Sequence, residues 1–167
     1  MPMNLLVRCF VVVVVSLTFG ACRQADGPIP VPSEDVQKEL DDVVRDLQNV
    51  AGAKDPQAPS DLASDLRKYA GRRAAEPTVD ELTRRTVTAL SGIELPEQSA
   101  QRLAHSLWVS IAARELSERQ VETLQSDVQL MLTSLGVAES NAQQVAAQIG
   151  DVQTAVGDRA RRWYELF

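Results

Sequence analysis

Apolar residues recur at helical spacing along most of the chain. In the first such segment they lie three or four residues apart, on one face of a helix that would begin at Ser33 with two acidic residues in its first turn. The apolar positions of this segment are Val36, Leu40, Val43, Leu47 and Val50. A loop with two prolines follows, and then a shorter helix predicted to begin at Ser60 and to end at Gly71.

Four more helices are predicted after Pro77. Two capping boxes, Thr78 with Glu81 and Ser117 with Gln120, predict the starts of two of them. A third helix lies between these two, within residues 96–116, and the last is predicted to end by Gly157. No segment shows the period-two alternation of a half-buried strand. The pattern predicts an all-α protein, a compact helical bundle built from amphipathic helical hairpins.

The later helices resemble one another. A shift of 42 residues without gaps superposes residues 79–111 on residues 121–153, and apolar positions then coincide: Val79 with Val121, Leu82 with Leu124, Leu90 with Leu132, Ala100 with Ala142, and Ala104 with Ala146. The match predicts either one helical hairpin used twice or two independent amphipathic hairpins.

The N-terminus has a different pattern. One positive charge, Arg8, precedes an apolar run from Cys9 to Phe19 that is interrupted by only two hydroxyl side chains. This order is typical of a secretory signal. The run is too short for a transmembrane helix, which needs about 20 apolar residues. Cleavage by the ordinary signal peptidase fits poorly, because Phe19 would occupy the −3 position, where a small residue is required.

The residues that follow the apolar run are Phe19, Gly20, Ala21 and Cys22. They resemble the lipobox of bacterial lipoproteins, with Phe19 in place of the usual leucine. The resemblance covers residues 1–22 and implies a signal peptide of residues 1–21, cleavage before Cys22, and acylation (diacylglyceryl, palmitate-type chains) of that cysteine. It also implies a location in the cell envelope. Since Arg23 is not the aspartate that favours inner-membrane retention, we expect the outer membrane, facing the periplasm, in a Gram-negative host.

Cysteine usage agrees with this interpretation. The chain has two cysteines, and Cys9 lies in the segment that would be removed, so Cys22 would have no partner for a disulfide. The lipid on Cys22 is the predicted membrane attachment. Residues 22–32 then form a flexible tether, because prolines at 28, 30 and 32 favour an extended chain over a helix. The bundle is assigned to residues 33–157.

Charge excludes one class of partner. Removal of residues 1–21 leaves 146 residues with 16 basic and 23 acidic side chains, a net charge of −7. Nucleic-acid binding depends on neutralising phosphates with lysine and arginine, and we therefore expect no nucleic-acid partner.

Catalytic residues are not evident. His105 is the single histidine, and its helix neighbours do not include a carboxylate, so it is interpreted as a surface or boundary residue. A typical zinc set cannot be assembled from one histidine and no free cysteine, and the turns between helices lack the ligands of a calcium loop. We expect no enzyme activity, no cofactor and no metal.

The C-terminal segment, residues 158–167, is both basic and aromatic. Arginines and aromatic residues of this kind suit a membrane interface or a partner groove, but they could equally fold back and close the end of the bundle. The candidate contact residues are Arg159, Arg161, Arg162, Trp163, Tyr164 and Phe167.

Together these features predict a lipid-anchored envelope lipoprotein whose helical domain is non-catalytic and binds another envelope protein. The alternative is a carrier of a small apolar ligand or lipid in a cavity between the helices. Native mass spectrometry for a co-purifying lipid would separate the two hypotheses.

Overall fold

The computed structural model describes residues 28–71, 74–113 and 116–164, with side chains as far as Asp158. These residues form six α-helices and no strand, so the all-α prediction is confirmed. The helices are α1 (Glu34–Ala51), α2 (Ala58–Ala70), α3 (Glu76–Leu90), α4 (Glu97–Ala112), α5 (Glu118–Ser134) and α6 (Glu139–Tyr164).

Helix starts follow the sequence signals in part. Ser33 and Ser117 are the N-caps of α1 and α5, and at α5 the complete capping box is present. The predicted start at Ser60 is wrong, because α2 begins at Ala58 and holds Pro59 in its first turn. Proline is tolerated there, since the first amide groups of a helix have no intrahelical acceptor.

The predicted capping box of Thr78 and Glu81 is also wrong. The N-cap of α3 is Ala75, and the helix starts at Glu76 with a proline in its first turn. Glu81 instead accepts hydrogen bonds from the guanidinium groups of Arg84 and Arg85 at 2.7–2.8 Å. These bonds stabilise the charged carboxylate and lower its pKa to about 2, Arg84 contributing most.

The last helix is longer than predicted. Gly157 does not end α6, which continues through it to Tyr164. A single glycine in a helix costs about 1 kcal/mol relative to alanine, which the residues on either side of it can offset. The backbone of residues 159–164, in the basic and aromatic C-terminal segment, is therefore helical.

One apolar core runs through the bundle and contains aliphatic side chains from all six helices. Its largest fully buried members are Leu47, Leu62, Leu66, Leu82, Leu90, Leu103, Leu107, Ile111, Leu132 and Ile149. Helix α4 is central, because it packs against α1, α2, α5 and α6. The apolar stripes that predicted the helices are thus the faces that the helices bury.

The 42-residue relation holds for the helices but not for how they pair. Helices α3 and α5 start 42 residues apart, as do α4 and α6, and matched positions such as Leu90 and Leu132 are equally buried. However, α5 packs along α6, whereas α3 packs against α2 and α6 and barely touches α4. The two segments therefore pack differently in the folded chain, and their origin by duplication stays a prediction.

Buried amides hold the ends of the helices together. The Gln153 side chain, 4% exposed, donates to the Ser110 carbonyl at the end of α4 at 2.7 Å and accepts from the Leu116 amide at 3.0 Å. The last carbonyls of a helix have no intrahelical donor, so Gln153 satisfies one of them. The residue 42 positions before Gln153 is Ile111, which is apolar and cannot form such hydrogen bonds. The repeat pattern therefore breaks where α6 is fixed to α4.

The turn between α3 and α4 is fixed to α1 in a similar way. The amide of Gly92, whose φ is +76°, donates to the Ala51 carbonyl at 3.2 Å. The Gln48 side chain donates to the Leu95 carbonyl at 3.5 Å. Since the end of α1 meets the start of α4, these two packed helices run antiparallel, and the start of α1 lies towards the end of α4.

Candidate functional site

The residues of the predicted lipidation site, Cys22 with Phe19, Gly20 and Ala21, lie outside the described part of the chain. Phe167 also lies outside it. The other C-terminal candidates, Arg159, Arg161, Arg162, Trp163 and Tyr164, belong to the last two turns of α6, where the structure gives the course of the helix and not the side chains.

The course of α6 places these two turns at a defined end of the bundle. The Gln125 side chain of α5 donates to the Ala146 carbonyl of α6 at 3.0 Å and also faces Gly150. With that pairing, α6 runs antiparallel to α5, and residue 155 of α6 lies level with the start of α5. At 1.5 Å per residue, the helix continues about 13 Å further, to Tyr164.

The segment that precedes α1 is in contact with the bundle. Residues 28–33 are not helical, as their prolines predict. Ile29 packs against the apolar core, whereas Val31 is 81% exposed. The carbonyl oxygen of Pro30 lies 3.1 Å from Nε2 of His105 on α4. The last residues of the predicted tether are therefore held to the bundle by an apolar contact and a hydrogen bond.

His105 has a structural role in this contact. A carbonyl oxygen can only accept, so Nε2 of His105 carries the proton and donates to Pro30. The imidazole also stacks on Trp108, with ring centroids 6.2 Å apart and planes inclined by 17°. Trp108 is partly buried against the core. The imidazole thus connects the N-terminal segment to α4, which agrees with its interpretation as a boundary residue.

Four aspartates face one another between α1 and α2. They are Asp42 and Asp46 on α1 and Asp61 and Asp65 on α2, and each of the other three raises the pKa of Asp46 by its charge. Asp46 is the buried member, 4% exposed, and its nearest cation is Nε of Arg45 at 3.8 Å. Arg45 also forms an ion pair with Asp42 at 2.9 Å.

Burial dominates the electrostatics of this cluster. Loss of hydration disfavours the charged carboxylate and, with the neighbouring aspartates, raises the pKa of Asp46 to about 6 in spite of Arg45. Burial raises the pKa of Asp65 for the same reason, with Asp42 adding to the effect. A perturbed pKa is a feature of many catalytic carboxylates, and structural ion-pair networks perturb pKa values as well. We interpret it as a pH-sensitive packing contact.

Residues 28–71, 74–113 and 116–164 contain neither a candidate metal site nor a candidate membrane-spanning helix. Over these ranges, no three histidine, cysteine or acidic side chains are grouped so that they could hold a metal ion. Among the helices of the same ranges, none has both the length and the apolar character needed to cross a membrane.

Comparisons with known proteins give no relative. The chain matches no protein-family model, no curated protein and no solved structure. Any functional assignment must therefore come from its own residues.

Sequence reasoning missed three of these features. Asp46 could have been found, because it lies three residues after Val43 and four before Val50, beside the apolar stripe of α1. Ile29 is an apolar residue in a proline-rich segment, but its packing against the core has no local signal. The neighbouring hydrogen bond of Pro30 with His105 joins residues 75 positions apart. The contact of Gln153 with α4 is long-range as well.

Proposed function

We propose that this protein is a lipid-anchored lipoprotein of the bacterial cell envelope, with a non-catalytic helical domain that binds another envelope protein. The observation that carries the anchor is the position of Cys22, directly after an apolar run and the small pair Gly20 and Ala21. In a Gram-negative host we place the protein in the outer membrane, facing the periplasm, since Arg23 follows the cysteine.

The anchor is physically sufficient without help from the protein. One acyl chain holds a protein to a membrane only marginally, whereas two chains give stable attachment. The diacylglyceryl group of this lipoprotein type supplies two. Helix α1 begins at Glu34, twelve residues after Cys22, and the apolar core described above begins with the helices. Lipid and folded domain would then be separate parts of the mature protein.

Detergent phase partition tests the anchor. We expect wild-type protein to enter the detergent-rich phase and Cys22→Ala to stay in the aqueous phase or to accumulate as an uncleaved precursor. The matched control is Cys9→Ala, which removes the other cysteine and should partition like wild type. Equal partition of wild type and Cys22→Ala would contradict a lipid on Cys22.

The partner contact is proposed at the C-terminal end of α6. Its last two turns combine three arginines with Trp163 and Tyr164, and arginine, tryptophan and tyrosine are the residues most enriched at the energetic centres of protein interfaces. The domain carries a net negative charge, and these arginines form a local basic cluster in its sequence.

In-cell crosslinking tests the contact. We expect wild type to give a discrete adduct that is weakened at least about tenfold in Trp163→Ala and Tyr164→Ala, as for truncation at an interface centre. Leu130→Ala is the control, because Leu130 is a large apolar side chain that is 66% exposed on α5. Circular dichroism would verify that each variant is folded. Undiminished adducts in both aromatic variants would contradict a C-terminal contact.

A further inference from the structure

The contact between the N-terminal segment and α4 has a consequence for the anchor. We propose that residues 28–32 form a strap that docks on α4 and so shortens the maximum reach of the chain between the lipid and the bundle, and that undocking of this strap lets the bundle move away from the membrane. The shortening rests on the proposed lipidation of Cys22. The docking does not.

The strap is docked on one face. Ile29 packs against the core and Pro30 accepts a hydrogen bond from His105, whereas Val31, between Pro30 and Pro32, is 81% exposed. Exposure repeats every three residues, because Pro28 and Val31 are exposed while Ile29 and Pro32 are half-buried. A polyproline-type segment has three residues per turn, so this spacing is expected of such a segment with one docked face.

Proline suits a docked strap that can also be released. Pro28, Pro30 and Pro32 fix φ, so the free segment is already extended and loses little conformational entropy on docking. No strand occurs among the described residues, so the strap is not held by a backbone ladder. Its contacts are the packing of Ile29 and the hydrogen bond of Pro30, with Pro30 and Pro32 half-buried. Contacts on this scale are small enough to open without unfolding the helices.

Docking changes the reach of the anchor. With the strap released, twelve residue steps separate Cys22 from Glu34, about 40 Å when fully extended. With the strap docked, the six residue steps from Cys22 to Pro28 can span at most about 20 Å. The docked state would hold the bundle near the lipid surface, with α4 as the helix that is tied to the tether. The released state would roughly double the distance available for reaching a partner.

The pair Ile29→Ser and Val31→Ser tests docking. Each variant is made in the full-length chain with Trp163→Phe, so that Trp108, next to His105, is the only tryptophan. We expect Ile29→Ser to raise the ratio of undocked to docked strap about fivefold, seen as stronger acrylamide quenching of Trp108, because it removes the apolar contact. Val31→Ser should show the same quenching of Trp108 as the parent protein with Trp163→Phe alone. It also replaces a β-branched apolar side chain by serine, but at an exposed position.

Energy transfer from Trp108 to dansyl-labelled headgroups then tests the distance between the bundle and the membrane surface. The proteins are purified from membranes and reconstituted in vesicles of neutral phospholipid with the labelled lipid. We expect lower transfer for Ile29→Ser than for the parent and for Val31→Ser.

Two results would overturn the proposal. Equal quenching of Trp108 in all three proteins would show that the strap is not docked. Unequal quenching with equal transfer from vesicle-bound protein would show that docking does not set the distance. Failure of the proposed anchor is recognised separately, because an unlipidated chain would not bind the vesicles at all while its Trp108 quenching would still report docking.

Discussion

Asp46 is a carboxylate that the fold buries without a close cation. It is 4% exposed, its distance to Arg45 Nε is 3.8 Å, and three other aspartates lie across the same helix interface. The unfolded chain can hydrate this carboxylate and the folded chain cannot. The folded state therefore binds a proton more readily than the unfolded state, with a pKa of about 6 against an ordinary value of 3.8.

We predict from this shift that the protein becomes more stable on mild acidification. A raised pKa in the folded state gives a stabilisation that is fully present below about pH 3.8 and is lost as the pH rises through about 6. Between pH 7 and pH 4.5 the contribution of Asp46 to the unfolding free energy should rise by on the order of 2 kcal/mol. Urea unfolding at the two pH values measures it.

The variant Asp46→Asn isolates this effect. It should be more stable than wild type at pH 7. Its unfolding free energies at pH 7 and pH 4.5 should differ by much less than those of wild type. Asp41→Asn is the control, since Asp41 is exposed on the same helix and should leave the wild-type pH dependence unchanged. A wild-type protein that weakens on acidification to pH 4.5, or an Asp46→Asn variant that is no more stable at pH 7, would refute the account.

Single residues could be predicted from the sequence where a local pattern determined their environment. The apolar stripe of α1 correctly identified Leu40, Val43 and Leu47 as core residues. The burial of Asp46 was missed, because an acidic residue beside a stripe is usually solvated and only the packing of α2 covers it. His105 was placed correctly at a boundary, although its hydrogen bond to Pro30 depends on the fold.

At the scale of helices, the two predicted capping boxes had different outcomes. At α5, Ser117 Oγ accepts from the Gln120 amide at 3.3 Å, and Gln120 Oε1 accepts from the Ser117 amide at 2.9 Å. At α3 the helix begins two residues before Thr78, because Pro77 suits the first turn of a helix. The same sequence motif was thus a cap in one place and the interior of a first turn in the other.

This difference predicts unequal effects of two similar substitutions. Ser117→Ala should lower the free energy of unfolding by about 1 kcal/mol, since it removes the side-chain acceptor at the N-cap. Thr78→Ala should change it by less than about 0.5 kcal/mol, because Thr78 lies past the start of α3 and caps nothing. Denaturant unfolding of the two variants beside wild type measures both values. Similar losses in the two variants would mean that Thr78 does serve as a cap.

Helix boundaries show where local signals end. The stop at Gly71 was predicted from a glycine that has a φ of +50°, a conformation suited to glycine. Gly157 carried the same signal in the sequence, but the helix continues through it. A glycine therefore ends a helix only where the packing of the following residues favours another direction.

At the scale of the molecule, composition and periodicity were enough to predict an all-α bundle, because apolar stripes at helical spacing need one another for burial. The pairing of the helices was not predictable in the same way. The 42-residue match suggested equivalent hairpins, but α3 packs on α2 and α6 while α5 packs on α6. Polar contacts between distant residues, such as Gln153 with Ser110, fix that arrangement and leave no periodic trace.

The proposed anchor is a whole-molecule property, since it would determine how the bundle, the strap and the C-terminal end of α6 are presented to the envelope. It depends on Cys22, and a mass measurement reports on that residue directly. Membrane-fraction protein from wild type, Cys22→Ala and Cys9→Ala is compared as intact chains. The wild-type and Cys9→Ala spectra should each contain a species that begins at residue 22 and carries at least the diacylglyceryl mass, and this species should be absent from Cys22→Ala. An unlipidated wild-type chain, whether cleaved elsewhere or not at all, would contradict the central claim.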